Sequence, residues 1–227
     1  MVETRSTLGK LAKAVENGKR HDVRLLTQTL LAEGRKPLEI IEQGLVPGMA
    51  AIGERFKNNE VFVPEMLIAA RAMKEAMSLL EPRLNHAGIK PKHTAVIGTV
   101  QGDLHDIGKN LVAMMLKGAN FGLVDLGTNV PAEKFIAAAR EHHASIVALS
   151  ALLTTTLPAM KFAVTALRTA RLPGAKIMIG GAPITQDFAN AIGADGYSPD
   201  ASSAVELARR LVGESCRSGD HAKGMPA

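Results

Sequence analysis

The hydrophobic period of the chain changes once, near Lys92, and that change governs what it can fold into. Before it, apolar residues recur every three or four positions; after it, short apolar runs alternate with helical stretches. Two such periods in one chain call for an all-helical unit followed by a parallel sheet wrapped in helices. Leu8, Leu11 and Val15, then Val23, Leu26 and Leu30, mark the first two helices, with Gly18 and Gly34 as punctuation. After Pro37 come Ile41, Leu45, Met49, Ile52 and Phe56; after Pro64 come Met66, Ala70, Met73, Met77, Leu80 and Leu84. Both prolines suit a first helical position, where a missing amide has no partner to lose. The reading is a bundle of four helices with short connections, the third bent or broken at Pro47.

Beyond Lys92, strands are expected at Ala95–Gly98, Phe121–Leu126, Ile146–Ser150 and Lys176–Ile179, with a short one near Gly196-Tyr197. The helices that follow run through Leu111–Leu116, from Pro131 to about His142, through Met160–Leu167, near Phe188–Ile192 and over Ala201–Val212. Five β-α units make an open parallel sheet, and such sheets bind ligands beyond the carboxyl ends of their strands. The fold class expected is α/β. A four-helix bundle cap over 1–88 precedes a five-stranded parallel Rossmann-like (flavodoxin-like) domain over 92–213, with a disordered tail over 214–227. The connection around Pro82–Pro91 reads as the hinge between the two.

Composition removes several kinds of chemistry. A single cysteine, Cys216, excludes disulfide scaffolds and cysteine-rich zinc or iron–sulfur sites. With no Trp, one Tyr and six Phe, there are too few rings for single-strand nucleic acid to stack on. The net charge of +5 is spread evenly, 14 basic against 11 acidic residues up to Lys90 and 13 against 11 beyond. No nucleic-acid footprint is expected from that distribution. No apolar run reaches membrane-spanning length and the first residues lack a signal-peptide core, so the expected compartment is the cytoplasm.

The loop after the first strand reads Gln101-Gly102-Asp103-Leu104-His105-Asp106-Ile107-Gly108. It has neither dinucleotide-binding glycine spacing nor a phosphate-cradling Gly-Lys-Ser/Thr. A phosphorelay receiver would share the five-unit layout, but its third strand should end in aspartate, and this one ends in Ser150. What remains is a histidine with a carboxylate two residues before it. A carboxylate on one imidazole nitrogen fixes the tautomer and makes the other nitrogen a better metal donor. The plainer alternative is that His105 opens a helix and Asp103 caps it. One strong local donor is too few for zinc, whereas a metal carried in a macrocycle needs only one axial ligand from protein.

These residues resemble a known family. Asp103-x-His105-x-x-Gly108, then Ser150-x-Leu152, then Gly180-Gly181 is similar to the cobalamin-binding signature of corrinoid-dependent methyltransferases and base-off mutases, each piece falling at a strand end. Gly44-Leu-Val-Pro-Gly-Met through Phe56, with Val63-Pro64-Glu65, resembles the helical cap of the methyl-transferring branch. The likeness covers nearly all of residues 1–212. It comes nearest to the small corrinoid proteins of methylamine-type methyltransferase systems, related to the cobalamin-binding module of methionine synthase.

The resemblance implies a cofactor, cobalamin (methylcobalamin or a related corrinoid), with His105 as lower axial ligand to cobalt in place of the cofactor's own base. It implies that Asp103 accepts a hydrogen bond from the other ring nitrogen and that Thr156 completes the triad where relatives carry Ser. Ser150, Leu152 and Thr154 would line the slot for the displaced tail, with Gly180 and Gly181 allowing close backbone approach and Ala201 near its end. Gly102, Leu104, Asp106 and Gly108 complete the expected contacts. Phe62 or Met66 would shield the upper face, although the Met66, Met73, Met77 stripe also reads as plain core, and Thr155 or Thr156 also reads as a helix cap.

Implied partners are a substrate-specific corrinoid methyltransferase, an acceptor methyltransferase acting on a thiol or tetrahydrofolate, and a reductive activase. The chain then acts as a methyl-carrier subunit, because it has no room for a substrate barrel of about 250 residues. Two other classes stay open at this point: a cobalamin-responsive transcriptional regulator and the small subunit of an adenosylcobalamin mutase. The missing Trp and the short lead into the first helix speak against the regulator, and the cap speaks against the mutase.

Overall fold

The structure, a computed structural model, describes residues 2–214. Cys216, His221 and all but the first residue of the tail expected over 214–227 lie outside the described residues. Among the described residues no helix is long and apolar enough to cross a membrane.

The first unit is built of α1 (Val2–Glu16), α2 (Arg20–Ala32), α3 (Pro37–Ile40), α4 (Val46–Lys57) and α5 (Val63–His86). Leu11, Val15, Val23, Leu30, Met66, Met73 and Leu80 share one apolar cluster, so the sequence's three-and-four spacing is the spacing of the buried faces. The start of α5 is locked locally, because the Glu65 carboxylate reaches back to accept the Phe62 N–H at 3.0 Å.

Pro47 does not break the third helix. The turn ahead of it widens instead: Ile41–Leu45 is π-helical, joining α3 to α4, and the Val46 N–H donates to the Ile41 carbonyl. A proline ring crowds the carbonyl four residues before it, and a wide turn moves that carbonyl away. Pro82 likewise sits inside α5 and not in a linker. Pro82 offers no N–H to the Ser78 carbonyl, and both residues are exposed. The connection between the units is therefore shorter than the sequence implied and begins after His86.

The second unit alternates β1 (Thr94–Thr99), α6 (Ile107–Gly118), β2 (Gly122–Asp125), α7 (Ala132–Glu141), β3 (Ile146–Ser150), α8 (Leu157–Thr169), β4 (Lys176–Gly180), α9 (Gln186–Ile192), β5 (Gly196–Ser198) and α10 (Ala201–Leu211). All pairings are parallel and the strand order is β2-β1-β3-β4-β5. Successive residues of one strand serve opposite faces. Ala95, Ile97, Ala148 and Met178 pack under α6 and α10, while Val96, Val147, Ile177 and Ile179 pack under α7, α8 and α9. The helical unit lies against the α6–α10 layer, because Leu111 and Met115 of α6 and Ala201 of α10 belong to its apolar cluster. At Gly53 a Cβ would come 2.8 Å from Ser202 Oγ and 2.9 Å from Met115 Cε, so any side chain there would force these neighbours to shift.

Candidate functional site

One register row closes the sheet. Thr99, Ser150, Gly180 and Ser198 are neighbours across β1, β3, β4 and β5, and the loops that follow them leave from that row. Strand order reverses between β1 and β3, where a parallel sheet opens a crevice beyond its carboxyl ends.

Asp103 sits at the base of this crevice and is fully buried. Its Oδ1 accepts the His105 backbone N–H at 3.0 Å and lies 2.8 Å from His105 Nδ1. Its Oδ2 accepts the N–H groups of Leu152 at 2.7 Å and Leu153 at 3.2 Å, and the Thr156 hydroxyl at 3.0 Å. Burial by itself would raise the Asp103 pKa. The backbone N–H groups of His105 and Leu152, the His105 ring and the Thr156 hydroxyl outweigh it and hold the carboxyl well below the usual carboxylate range. An ionised Asp103 keeps the proton on Nδ1 and leaves the Nε2 lone pair for another partner. The His105 side chain is 51% exposed, whereas Asp103 has no exposure at all. The carboxylate is thus a fixed anchor and the imidazole its exposed end.

Capping does not explain these residues. The N-cap of α6 is Asp106. Thr156 stands at the N-cap of α8 but makes no side-chain cap bond; it is buried, with its hydroxyl shared between Asp103 and the Leu153 carbonyl at 2.8 Å. The loops after β1 and β3, 53 residues apart at these two positions, are therefore joined through one carboxylate.

His105 opens onto a cavity of about 580 Å³. Leu104, Asp106, Gly108, Ser150, Leu152, Gly180, Gly181 and Ala201 line it with His105, so the fold brings these candidate residues together. Around the mouth Leu104, Ile107 and Leu152 are large apolar side chains left exposed. Further in, the small residues Ala148, Ala151, Gly181 and Ala204 stand beside the buried apolar Ile97, Leu149, Met178 and Ile179. Gly181 has φ +132, and a Cβ there would lie 1.8 Å from the Ala151 carbonyl oxygen, so no side chain fits between the β3 and β4 loops. A half-exposed imidazole with one nitrogen engaged, an apolar rim and an apolar recess behind it suit a flat, metal-bearing macrocycle with a long appendage. Among the described residues no group of three or more His, Cys, Asp or Glu is placed to hold a metal ion.

The remaining candidate residues do not line the cavity. Asp103 and Thr156 lie behind His105 and off the cavity wall. Gly102 is off it too, at φ +85, its N–H donating to Asn129 Oδ1 at 2.8 Å. Thr154 is exposed at the start of the short 3-10 turn Thr154–Thr156 and does not face the recess. Met66 is core and fully buried, so the methionine stripe packs the bundle, while Phe62 is exposed outside the cavity lining. The helical-unit side chains that do line it are Phe56 and Val63.

Three supporting residues lie outside the motifs of the sequence. Lys109 is 3% exposed, its ammonium 2.6 Å and 2.8 Å from the two Asp125 carboxylate oxygens and 2.6 Å from Asn110 Oδ1. Asn129, at φ 54, also donates its N–H to the Asp103 carbonyl at 2.9 Å. The buried Thr99 hydroxyl donates to the His105 carbonyl at 2.8 Å. An Asn between Gly127 and Pro131 is a left-handed turn signal, the one clue the sequence offered.

Two family models, each described as a B12 binding domain, match residues 93–206 and 7–81. The chain is 38% identical to a corrinoid protein of Desulfitobacterium hafniense strain Y51, over 92% of this chain and 99% of the relative. It is 40% identical to trimethylamine corrinoid protein 1 of Methanosarcina acetivorans, over 82% of this chain and 88% of that one. A cobalamin-binding protein from Desulfitobacterium hafniense DCB-2 superposes with TM-score 0.77 at 31% identity, covering 91% of this chain and 98% of the other. A chain of the methanol:cobalamin methyltransferase complex from Methanosarcina barkeri gives TM-score 0.77 at 29% identity, over 91% of this chain and 80% of that chain. Matched in both units and alike over almost its whole length, the chain belongs to the cobalamin-binding corrinoid proteins related to those of the methylamine and methanol methyltransferase systems.

Proposed function

We propose that this protein carries a methyl group on the cobalt of a bound corrinoid, between a substrate methyltransferase and an acceptor methyltransferase. The bond between buried Asp103 and half-exposed His105 carries the reading, because it leaves His105 Nε2 open to the cavity. His105 would be the lower axial ligand, and the recess behind Gly180 and Gly181 would receive the displaced base and its nucleotide tail. When bound, the corrinoid supplies the cobalt that takes up and releases the methyl group.

The protein's own part is ligation, orientation and shielding. Asp103 would keep the proton on Nδ1 of a ligating His105, and the four other donors to its carboxylate would hold it in place for that task. Leu104, Ile107 and Leu152 give the ring system an apolar bed around the imidazole. Phe56 and Val63 cover it from the helical side. Residues 1–88 act as the cap and 92–213 as the holder, with the cap swinging on the connection after His86 when a partner needs the metal. The acceptor partner would work on a thiol or tetrahydrofolate, and a reductive activase would be a third partner. The kinship with methylamine and methanol corrinoid proteins supports a separate methyltransferase partner.

The test is reconstitution of the full-length apoprotein with methylcobalamin, followed by the visible spectrum and by gel filtration. Wild type should retain the corrinoid and show a histidine-bound cobalt. His105→Ala should retain corrinoid without that ligation, since the recess is untouched. No retention by the wild type, or identical spectra for the two proteins, would overturn the reading.

A further inference from the structure

The carbonyl of His105 precedes the N-cap of α6. The first bond of that helix runs from the Asn110 N–H to the Asp106 carbonyl, 2.7 Å, so the helix makes no use of the His105 oxygen. That oxygen sits one residue before the helix and beside a ring that must hold one direction. Its partner is the hydroxyl of Thr99, the last residue of β1, with no solvent exposure.

Thr99 is itself fixed. Its N–H donates to the Gly127 carbonyl at 2.9 Å, its carbonyl accepts the Val130 N–H at 2.9 Å, and it lies in register with Ser150. The hydroxyl is therefore a rigid donor anchored in the sheet. Asp103 Oδ1 already binds the His105 N–H and ring Nδ1. With the carbonyl held as well, both peptide groups flanking the His105 Cα are restrained, and only the side-chain torsions remain. One of these is set by the Nδ1–Asp103 contact. Without the Thr99 bond the backbone at His105 is held on its N–H side alone, so the Cα–Cβ bond, and the direction of Nε2 with it, is less firmly fixed.

We propose that Thr99 is a positioning residue for the axial ligand, setting the direction of His105 Nε2 through the His105 carbonyl. The inference rests on the reading of His105 as the ligand to cobalt. It concerns ligation and not retention, since Thr99 is not among the residues lining the cavity. A residue that served the fold alone would weaken both together.

The test uses full-length protein reconstituted with methylcobalamin, in wild type, Thr99→Val and Thr99→Ser. Retained corrinoid is measured by gel filtration, and the histidine-bound fraction by the visible band. Thr99→Val keeps the shape and removes the donor; it should retain corrinoid while its ratio of histidine-bound to unbound cobalt falls on the order of 10-fold. Thr99→Ser keeps the hydroxyl and should restore the wild-type ratio. Should the valine variant be insoluble, Thr99→Ala against Thr99→Ser makes the same comparison. Unchanged ligation in Thr99→Val or Thr99→Ala, failure of Ser to restore it, or parallel loss of ligation and retention overturns the inference. A wild type that holds corrinoid without histidine ligation overturns the reading of His105, and this inference with it.

Discussion

Asp103 Oδ1 lies 2.8 Å from His105 Nδ1, yet one of the two residues is fully buried and the other half exposed. The pair is thus a junction between the protein interior and the open cavity. Everything that fixes the carboxylate acts on the imidazole through that single oxygen.

Replacing Asp103 with Asn should be costly and dependent on pH. An amide offers one acceptor where the carboxylate serves both the His105 and the Leu152–Leu153 sides, and the lost charged bonds are worth about 2–3 kcal/mol. The folded pKa of Asp103 is lowered, so its stabilisation is complete above the ordinary carboxylate pKa of about 4 and is lost as pH falls further. Urea midpoints of wild type and Asp103→Asn should differ at pH 7 and converge on acidification below about pH 4. A gap that stayed constant down to strong acid would show that the carboxylate's charge contributes nothing.

Gly181 and Gly180 are adjacent but should respond very differently to alanine. At Gly181 the new Cβ meets the Ala151 carbonyl at 1.8 Å in a backbone conformation that L side chains rarely adopt. Strain and overpacking together should cost about 3 kcal/mol or more, with the recess closed to its ligand. At Gly180 the nearest atom, the Ser198 carbonyl oxygen, is 3.1 Å away, and a shift of a few tenths of an ångström suffices. Thermal unfolding of the two variants should separate clearly; equal losses would mean the β3 and β4 loops are not pressed together at Ala151.

The Lys109–Asp125 pair predicts an asymmetric result, because its lysine is buried and its aspartate exposed. Lys109→Met removes the buried charge and keeps the volume, at a cost of about 1 kcal/mol or less. Asp125→Ala leaves an ammonium inside the protein with Asn110 as its remaining partner, and should cost about 3 kcal/mol. Chemical denaturation decides between this and the ordinary surface ion pair, for which both substitutions would be nearly neutral.

The sequence showed the units and their order because both periods are local. The β1 and β3 segments came within a residue or so of their observed bounds, since Val and Ile runs bracketed by polar turns leave little choice. The Asp103–His105 pair was equally legible, its members being two residues apart. Thr156 was reachable only through the family resemblance, because its contact with Asp103 joins two loops of different strands. Thr99 and Lys109 gave no signal at all: a threonine ending a strand and a lysine opening a helix are ordinary until the fold buries them. The helical-unit residues were misplaced for a related reason. Helical spacing says that Met66 and Phe56 each belong to an apolar face without saying which neighbour that face meets, and it is Phe56 that reaches the cavity.

The row Thr99, Ser150, Gly180, Ser198 has a thermodynamic corollary. A ligand reaching from the β1 loop to the β4 loop can be held only by strands already paired in that alignment. Its binding free energy is therefore added to strand pairing, as a staple driven across the sheet's open end. The cofactor is then a folding partner for its carrier, and loaded protein should resist unfolding in proportion to how much corrinoid the surroundings supply.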